Sequence, residues 1–395
     1  MTSLRYKHTT ANPLPATFYR GGTSKGIFIN RADLPENISD WDPIFLGIMG
    51  SPDPEHGRQL NGMGGGVSSL SKICVVGEPS EARKAEGIDV DYTFVQVGIR
   101  DSAIDYSGNC GNLSSMIGVF ALDEGLCKPR TVDSTRGVAS VRSWNTNTNK
   151  VIDTTFPVAD SDGVSTPSLN LPQAVVAGVP GKASQIVLDF VSPGGARTGK
   201  VLPTGLPTEI FEIPISIATS ASKFRISLVD ATNPTVFILA EDLRTALHID
   251  PDSPIDFANP EVREVMETIR RRGAERMGLD PSAQAQPKIA ALSPPSPKDS
   301  QQGVDIVIHA FSMGVLHKAV PMTVGLCLGV ASGLERTIAW EIVTKNGQVK
   351  PSNLVRILHP GGLVEVGADI GEGMDVKSAK VVRTGRRLMK GVVWW

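Results

Sequence analysis

Cysteine and histidine are scarce in this sequence, and neither forms a pattern that holds a metal or a disulfide framework. The four cysteines are spread over 395 residues without a CxxC pair, at positions 74, 110, 127 and 327. The six histidines are equally dispersed, and no HExxH motif occurs. The sequence therefore predicts reduced thiols and indicates no metal site.

Excess charge and long apolar runs are also absent. A net charge of −2 provides no basic field for nucleic acid or an anionic membrane surface. No stretch reaches about 18 uninterrupted apolar positions, and residues 1–20 carry charged and polar side chains where a secretory signal needs an apolar run. We therefore expect a cytoplasmic protein without nucleic-acid or membrane partners. The oligomeric state is left open, a homodimer included.

A complete nucleotide-binding motif is missing as well. In "GGARTGKV", Gly194, Gly199 and Lys200 have P-loop spacing, but Val201 occupies the place of the magnesium-binding Ser or Thr. "HPGGLVEVG" from His359 is more typical of a turn before a strand. The sequence predicts no cofactor.

The strand and turn content predicts an α+β fold, and the length of the chain predicts two domains. Forty glycines and 28 prolines punctuate short β-branched runs. Strands are predicted at 184–191, at 223–238 as a hairpin around Asn233 and Pro234, and at 303–311. Helices are predicted over 259–279, with Arg270, Arg271 and Arg272 on the solvent face, and over 322–334. The Pro/Ser/Gln-rich segment 283–302 is predicted to be an exposed loop.

A cysteine lies between two Gly/Asn pairs in "DYSGNCGNLSSMIGVFALDEGL", residues 105–126. Leu113, Met116, Ile117 and Phe120 follow the spacing of one helix face, which predicts a helix from near Asn112. Cys110 would then lie at the positive end of the helix dipole, where a thiolate or a ligand carboxylate is favoured. The alternative is that Cys110 is simply a small buried residue.

Two further segments carry candidate chemistry. In "LNGMGGGVSSLSKICVV", residues 60–76, three glycines open the backbone before a strand that carries Lys72 and Cys74 on one face. A desolvated Lys72 could act as a general base, whereas a surface lysine is the alternative. In "FYRGGTSKGIFI", residues 18–29, Arg20 and Ser24 are candidate substrate donors, and Arg20 could hold a carboxylate with two hydrogen bonds. A solvated hairpin loop is the alternative there.

Taken together, the ordered motifs give a family resemblance over nearly the whole chain. The motifs are "YRGGTSKGIF", "GMGGGVSSLSK", "SGNCGNLSSMIGVFALDEGL", "LPTG", "SMGVLHKA", "HPGG" and "RTGRRLMKG". They resemble the PrpF family of methylaconitate isomerases, in the diaminopimelate-epimerase-like superfamily. The resemblance implies two similar domains, each a curled β-sheet around a central helix, with the active site in the cleft between them. We place the domains at 1–185 and 186–395, leaving open whether the last strand returns to the first domain.

The resemblance also implies roles for individual residues. Lys72 matches the catalytic lysine and Cys110 the active-site cysteine. The positions that match substrate-binding segments are Gly64, Gly65, Gly66, Ser69, Asn109, Gly111 and Asn112, and those that match the wall of the second domain are Met313, Gly314 and His317. The commoner family pattern "GMGGATSSTSK" differs at Gly66, Val67 and Leu70, which alters the pocket edge and is compatible with the same reaction on a different substrate.

The implied reaction is a cofactor-independent isomerisation of aconitate or an alkylated relative. Lys72 would remove an allylic proton, and reprotonation would give either cis/trans isomerisation or a double-bond shift. Cys110 is then either a second acid/base or a residue that orients the substrate. The rivals are a keto-acid tautomerase such as a 4-oxalomesaconate tautomerase, an amino-acid racemase or epimerase using Cys327, and a non-catalytic carboxylate-binding accessory protein. Because Cys327 lies within the apolar "GLCLGV", core packing is its favoured interpretation.

Overall fold

The computed structural model describes residues 11–106, 108–133, 137–161, 164–214, 221–251, 253–283, 286–312, 314–345 and 354–395. The chain divides into two compact units. The first consists of Met1–Leu188 together with Arg383–Trp395, and the second of Asp189–Val382. The first unit is therefore built from both ends of the sequence.

Strands dominate the secondary structure. In chain order they are β1 Leu14–Gly21, β2 Ser24–Asn30, β3 Lys72–Gly77, β4 Val90–Val97, β5 Ile104–Asp105, β6 Thr131–Asp133, β7 Val138–Asn145, β8 Lys150–Ser161, β9 Val164–Pro167, β10 Ile186–Val191, β11 Glu209–Ile213, β12 Ser222–Ala231, β13 Asn233–Leu239, β14 Lys288–Ser293, β15 Ile306–Ser312, β16 Val315–Leu316, β17 Leu354–His359, β18 Gly362–Ile370, β19 Val376–Arg383 and β20 Gly385–Val393. The α-helices are α1 Asp42–Met49, α2 Glu81–Ala85, α3 Gly111–Ser114, α4 Ile117–Asp123, α5 Ala240–Ala246, α6 Pro260–Arg276, α7 Pro297–Gln301, α8 Met322–Gly333 and α9 Ile338–Lys345.

In the first unit, neighbouring strands run in the order β20, β1, β2, β3, β4, β7, β8. The β2–β3 and β4–β7 pairs are parallel and the other pairs are antiparallel. Ile73 and Val75 of β3 join the core cluster that includes residues of α1. Because side chains alternate along a strand, Lys72 and Cys74 lie on the opposite face, as the sequence predicts.

Helix α4 is the central helix of this unit. Its residues from Ile117 to Ala121 are all buried, as expected for a helix that is surrounded by strands. Phe120 packs on Phe28 of β2 with ring centroids 5.7 Å apart. The sheet thus curls around α4, so this unit has the predicted arrangement of a curled β-sheet around a central helix.

The single helix predicted from Asn112 is instead two short helices, α3 and α4. They are separated at Ser115 and Met116. The Ser115 hydroxyl donates to the Asn112 carbonyl at 2.7 Å, and the Ser114 hydroxyl donates to the Cys110 carbonyl at 3.0 Å. Serine hydroxyls that bond nearby carbonyls compete with regular helix hydrogen bonds, which accounts for the break.

The second unit repeats the arrangement with different elements. Its strands run in the order β11, β12, β13, β14, β15, β17, β18, β19. The central helix is α8, whose residues from Val324 to Ser332 are all buried. Helix α6 confirms the helix predicted from Pro260 and packs into a separate core cluster. The β12–β13 hairpin turns at Thr232, which has a φ of 63°, immediately before the predicted Asn233 and Pro234.

Two expectations for the second unit are wrong. The segment 283–302 contains β14 and α7, and Ile289 to Leu292 are buried within the sheet. Arg270 is 3% exposed rather than solvated, because it bonds Glu267 and the carbonyls of Pro281 and Ala283. Arg271 and Arg272 are exposed as predicted.

The "GGARTGKV" segment is a turn closed by the protein's own carboxylate. Asp230 accepts hydrogen bonds from the backbone N–H groups of Arg197 at 2.8 Å and Thr198 at 2.7 Å. The same carboxylate accepts from the Thr198 hydroxyl at 2.9 Å. These donors are therefore engaged within the protein, and Asp230 closes the turn.

The described parts of the chain contain no helix suited to cross a membrane. None of the helices there combines the length and the apolar character that a crossing needs.

Candidate active site

Lys72 is the first residue of β3, and its side chain is buried. It follows a short 3-10 helix, Ser68–Leu70, which connects it to the glycine loop. The residue is only 8% exposed. Its amine donates to the Oε1 of Gln96 and lies 5.0 Å from the centroid of the Phe94 ring. Neither partner is charged. The amine is therefore shielded from water by an amide and an aromatic ring.

The glycine loop at Gly64–Gly66 is shaped by the buried side chain of Gln59. The Gln59 Oε1 accepts from the Gly66 N–H at 3.0 Å and from the Ser71 hydroxyl at 2.6 Å. Gly66 has a φ of +68°, and a Cβ at Gly64 would lie 2.7 Å from the Met49 carbonyl, so both positions require glycine. Gly65 is the exposed member of the loop, and Ser69 is half-buried in the 3-10 helix.

Cys110 caps the N-terminus of α3 and is half-buried. Its Sγ lies 3.8 Å from the hydroxyl of Ser24, which is buried on β2. Because α3 is only four residues long, its dipole is smaller than that of the longer helix predicted from the sequence. The thiol therefore lies beside the Ser24 hydroxyl at the start of a short helix rather than at the end of a long one.

Asn109 and Asn112 flank Cys110 and fix the chain around it. The amide of Asn109 donates to the Tyr92 hydroxyl at 3.0 Å, and its Oδ1 accepts from Ser114 at 3.2 Å. Burial raises the pKa of Tyr92, so this hydroxyl stays a neutral phenol at ordinary pH. The amide of Asn112 donates to the Thr23 hydroxyl at 3.1 Å. The structure thus brings together four predicted site residues, namely Ser24, Asn109, Cys110 and Asn112, with Gly111 between the last two.

Arg383 is a further candidate site residue, one that the sequence did not predict. Its Nε donates to the Oδ1 of Asn112 at 3.1 Å, although the two residues are 271 positions apart. Burial lowers the pKa of Arg383 to about 10, and the nearby Cys110 opposes that effect in part. The guanidinium therefore stays charged at neutral pH beside the candidate thiol. Its signal was present in "RTGRRLMKG", a motif used for the family resemblance without a role assigned to its first residue.

Cys74 is influenced electrostatically by both Lys72 and the candidate cysteine Cys110. Burial raises the pKa of the Cys74 thiol, negative charge at Cys110 raises it further, and the charge of Lys72 lowers it. Both groups are thus within electrostatic range of one thiol on the face of β3 opposite α1. Lys72 and Cys110 thus both influence Cys74, and Cys110 also influences Arg383.

Arg20 is engaged differently from the prediction for it. Its Nη1 donates to the carbonyls of Gly22 at 2.9 Å and Thr384 at 3.0 Å, and to the Thr384 hydroxyl at 3.1 Å. These bonds connect the β1–β2 turn with the segment that precedes β20. A carboxylate-binding role for Arg20 stays a prediction.

The candidate residues of the second unit are placed on and after the β15–β16 turn. Met313 lies outside the described residues. Gly314 has a φ of 73°, and its carbonyl accepts from Arg263 at 3.1 Å. The Nδ1 of His317 accepts from the Ala319 N–H at 3.1 Å. The "SMGVLHKA" and "HPGG" motifs meet here, since a Cβ at Gly361 would lie 3.0 Å from the Lys318 carbonyl. A substrate-binding role for Gly314 and His317 stays a prediction.

Cys327 is packed in the core, as favoured from the sequence. It is fully buried in α8, and its Sγ lies 3.5 Å from the Val229 carbonyl. Burial raises the pKa of this thiol to about 12. Such a thiol is poorly suited to exchange a proton with a substrate, which argues against a two-cysteine epimerase.

Over the described ranges, no group of three or more His, Cys, Asp or Glu side chains is arranged to hold a metal ion.

Comparison with known proteins identifies the family. The family model described as "PrpF protein" matches residues 12–395. The chain belongs to the PrpF family. The family resemblance inferred from the ordered motifs is thereby confirmed.

Several relatives that align with this PrpF chain over nearly its whole length are isomerases. A 2-methyl-aconitate isomerase from Shewanella oneidensis is 36% identical over 403 residues, covering 96% of each chain. A 3-methylitaconate isomerase from Eubacterium barkeri is 33% identical, covering 96% of this chain and 97% of the relative. A (4E)-oxalomesaconate Delta-isomerase from Novosphingobium is 31% identical, covering 96% of this chain and 97% of the relative.

A solved structure agrees with this assignment. The crystal structure of a methylitaconate-delta-isomerase superposes with a TM-score of 0.82 at 31% identity, covering 98% of this chain and 96% of that one. Both the fold and the isomerase class of the PrpF chain are therefore confirmed.

Proposed function

We propose that this PrpF chain is a cofactor-independent isomerase of aconitate-type unsaturated polycarboxylates that works by allylic proton transfer. The observation that carries the proposal is the buried Lys72 amine, held by two uncharged side chains on the same face of β3 as Cys74. In its neutral form, an amine held in this way can take a proton from a bound substrate as a general base.

The chemistry follows from an acidic methylene next to a double bond and a carboxylate. The Lys72 amine takes the proton, and the electron pair of the C–H bond delocalises through the double bond into the carboxylate as a dienolate. Arg383 supplies positive charge toward the developing negative charge, which stabilises it most effectively in a site from which water is excluded. Return of the proton to the same carbon after rotation gives cis/trans isomerisation, and return to the other carbon shifts the double bond.

Cys110 has two roles consistent with its position at the start of α3. As a second acid it would deliver the proton to the carbon that Lys72 does not serve, which suits a double-bond shift. As an orienting group it would only line the site beside Ser24. The two roles predict different effects for Cys110→Ser, namely a large loss of turnover for the first and a small loss for the second.

A second candidate is a keto-acid tautomerase of the oxalomesaconate type. The Novosphingobium relative, a (4E)-oxalomesaconate Delta-isomerase, supports it at 31% identity. Its chemistry uses the same proton transfer, because a proton removed from a carbon beside a ketone likewise leaves an electron pair that delocalises onto oxygen as an enolate. Substrate choice alone separates the two candidates.

A cytoplasmic location without nucleic-acid or membrane partners stays a prediction, and the oligomeric state, a homodimer included, stays open.

The test is proton NMR in D₂O on a panel of cis-aconitate, trans-aconitate, 2-methylaconitate, methylitaconate and oxalomesaconate. We expect the protein to exchange the acidic proton of one aconitate-type member and to form its isomer. Lys72→Ala should reduce that rate by at least the ~10²-fold typical of acid–base catalysis. The control is Lys84→Ala, which changes an exposed lysine of α2. Wild-type activity in folded Lys72→Ala would overturn the proposal.

A further inference from the structure

The amide of Gln96 is held in one orientation by its surroundings. Its Nε2 donates to the Ser71 carbonyl at 3.0 Å and to the Ser68 carbonyl at 3.2 Å. If the amide were turned over, Oε1 would face these carbonyl oxygens, and acceptors would oppose acceptors. The Oε1 of Gln96 is therefore directed at the Lys72 amine, from which it accepts a hydrogen bond.

Strand register places Gln96 where it can act on Lys72. The two residues are direct cross-strand partners on β4 and β3, so their side chains leave the sheet on the same face. Phe94, two residues earlier on β4, lies on that face as well and is 5% exposed. The amine is thus held by an acceptor and by an aromatic ring. The two carbonyls that hold Gln96 belong to the first residue of the 3-10 helix and to the residue that follows it. Gln96 therefore connects the segment after the glycine loop with the Lys72 amine.

We propose that Gln96 is the positioning residue for the Lys72 base. Its Oε1 accepts one N–H of the neutral amine and thereby directs the nitrogen lone pair toward the substrate carbon. The amine then takes the substrate proton and becomes an ammonium, while the electron pair stays on the substrate as a dienolate. The inference rests on the proposed function, because it assigns Gln96 a role through Lys72.

An uncharged acceptor at position 96 is essential to this role. A carboxylate of the same size would accept the same hydrogen bond but would also stabilise the ammonium form of Lys72. Neutral amine would then form only at higher pH. Gln96→Glu should therefore retain the geometry while changing the pH dependence, whereas Gln96→Leu should lose the geometry at every pH.

The experiment compares pH–rate profiles of kcat and kcat/KM for wild type, Gln96→Glu, Gln96→Leu and the control Gln173→Glu. Gln173 is an exposed glutamine of the first unit, so the control adds the same charge away from Lys72. We expect the ascending limb of the pH–rate profile of Gln96→Glu to shift to higher pH by at least about one unit. The rate of this variant should recover at high pH. Gln96→Leu should lose roughly tenfold in kcat at every pH, with KM nearly unchanged. Circular dichroism checks folding, and Gln96→Glu carries the test if Gln96→Leu does not fold.

A second readout does not depend on turnover. Acetic anhydride modifies neutral amines, so peptide mapping after brief labelling gives the reactivity of Lys72 as a function of pH. We expect the curve to move to higher pH in Gln96→Glu only. An unmoved curve in the folded variant would overturn the positioning role. A moved curve together with an active Lys72→Ala would instead overturn the proposed function, and with it any role of Gln96 in catalysis.

Discussion

Among single residues, Arg383 places a buried positive charge close to the candidate thiol. It is buried beside Asn112 and within electrostatic range of Cys110. A buried guanidinium binds a carboxylate more strongly than a surface one does, because water competes less for it. Arg20 was the arginine predicted for this purpose, but its Nη1 is engaged with Gly22 and Thr384.

We therefore predict that Arg383→Gln raises the KM for a polycarboxylate substrate by about tenfold or more. The size follows from the roughly 1.5–3 kcal/mol typical of a hydrogen bond to a charged group. Arg383→Lys should restore part of the loss, because it keeps the charge without the planar donors. Steady-state kinetics gives the split between KM and kcat.

The matched control is Arg386→Gln, which alters an exposed arginine of β20 three residues away. Its KM should equal that of the wild type. A folded Arg383→Gln with unchanged KM would mean that Arg383 only holds Asn112 in place.

At the scale of elements, the contact of α3 with β1 determines where Cys110 and Asn112 lie. A Cβ at Gly21 would collide with the Asn112 carbonyl and lie 3.0 Å from the Ser115 hydroxyl. A Cβ at Gly26 on β2 would lie 2.6 Å from Leu113. The helix therefore rests directly on the backbone of the sheet, at a distance that only glycine permits.

We predict that Gly21→Ala pushes α3 away from β1 and impairs both stability and turnover. Overpacking of this kind costs about 1–3 kcal/mol, measurable as a fall in the free energy of unfolding in urea. Turnover should fall as well, since Cys110 and Asn112 move with the helix. Gly391→Ala on β20 is the control, because a Cβ there meets nothing within 4 Å. Equal stability and activity of the two variants would contradict the role assigned to this contact.

Periodicity was sufficient for the elements whose buried residues repeat over several turns or strand positions. The helix from Pro260 and the apolar helix that contains Cys327 were predicted on that basis, and both are present. The break between α3 and α4 was not predictable from apolar spacing, because it depends on hydroxyl groups. Strand β14 was missed because its short apolar run is diluted by the Pro, Ser and Gln residues around it.

Side-chain partners that are distant in sequence were the least predictable part of the site. Lys72 and Cys110 carry local signals, a glycine loop and a Gly/Asn turn. Gln96 became significant only through the register of β3 with β4, and Arg383 only through its proximity to Asn112. Arg270 is a parallel case, since its burial depends on the backbone of Pro281 and Ala283 folding back over it.

For the molecule as a whole, the first unit depends on the last thirteen residues of the chain, Arg383–Trp395. Strand β20 pairs with β1 from Leu14 opposite Val393 to Gly21 opposite Gly385, with one register shift between Phe18 and Tyr19. The Thr384 carbonyl also accepts from the Gly22 N–H at 2.9 Å. Without this segment, β1 loses its outer neighbour and the site loses Arg383.

We predict that ending the chain after Val382 destabilises the first unit selectively. Hydrogen exchange followed by mass spectrometry should show a loss of protection in β1, because its amides on the outer side lose their ladder partners in β20. Peptides from α6 in the second unit should keep their protection, since that helix packs against β11 and β14 within its own unit. Isomerase activity should be abolished.

A chain that ends at Val393 keeps β20 and removes only Trp394 and Trp395, so it serves as the control and should retain protection in β1. If β1 remained as protected in the chain ending at Val382 as in the full-length protein, the C-terminal strand would not be required to complete the first unit.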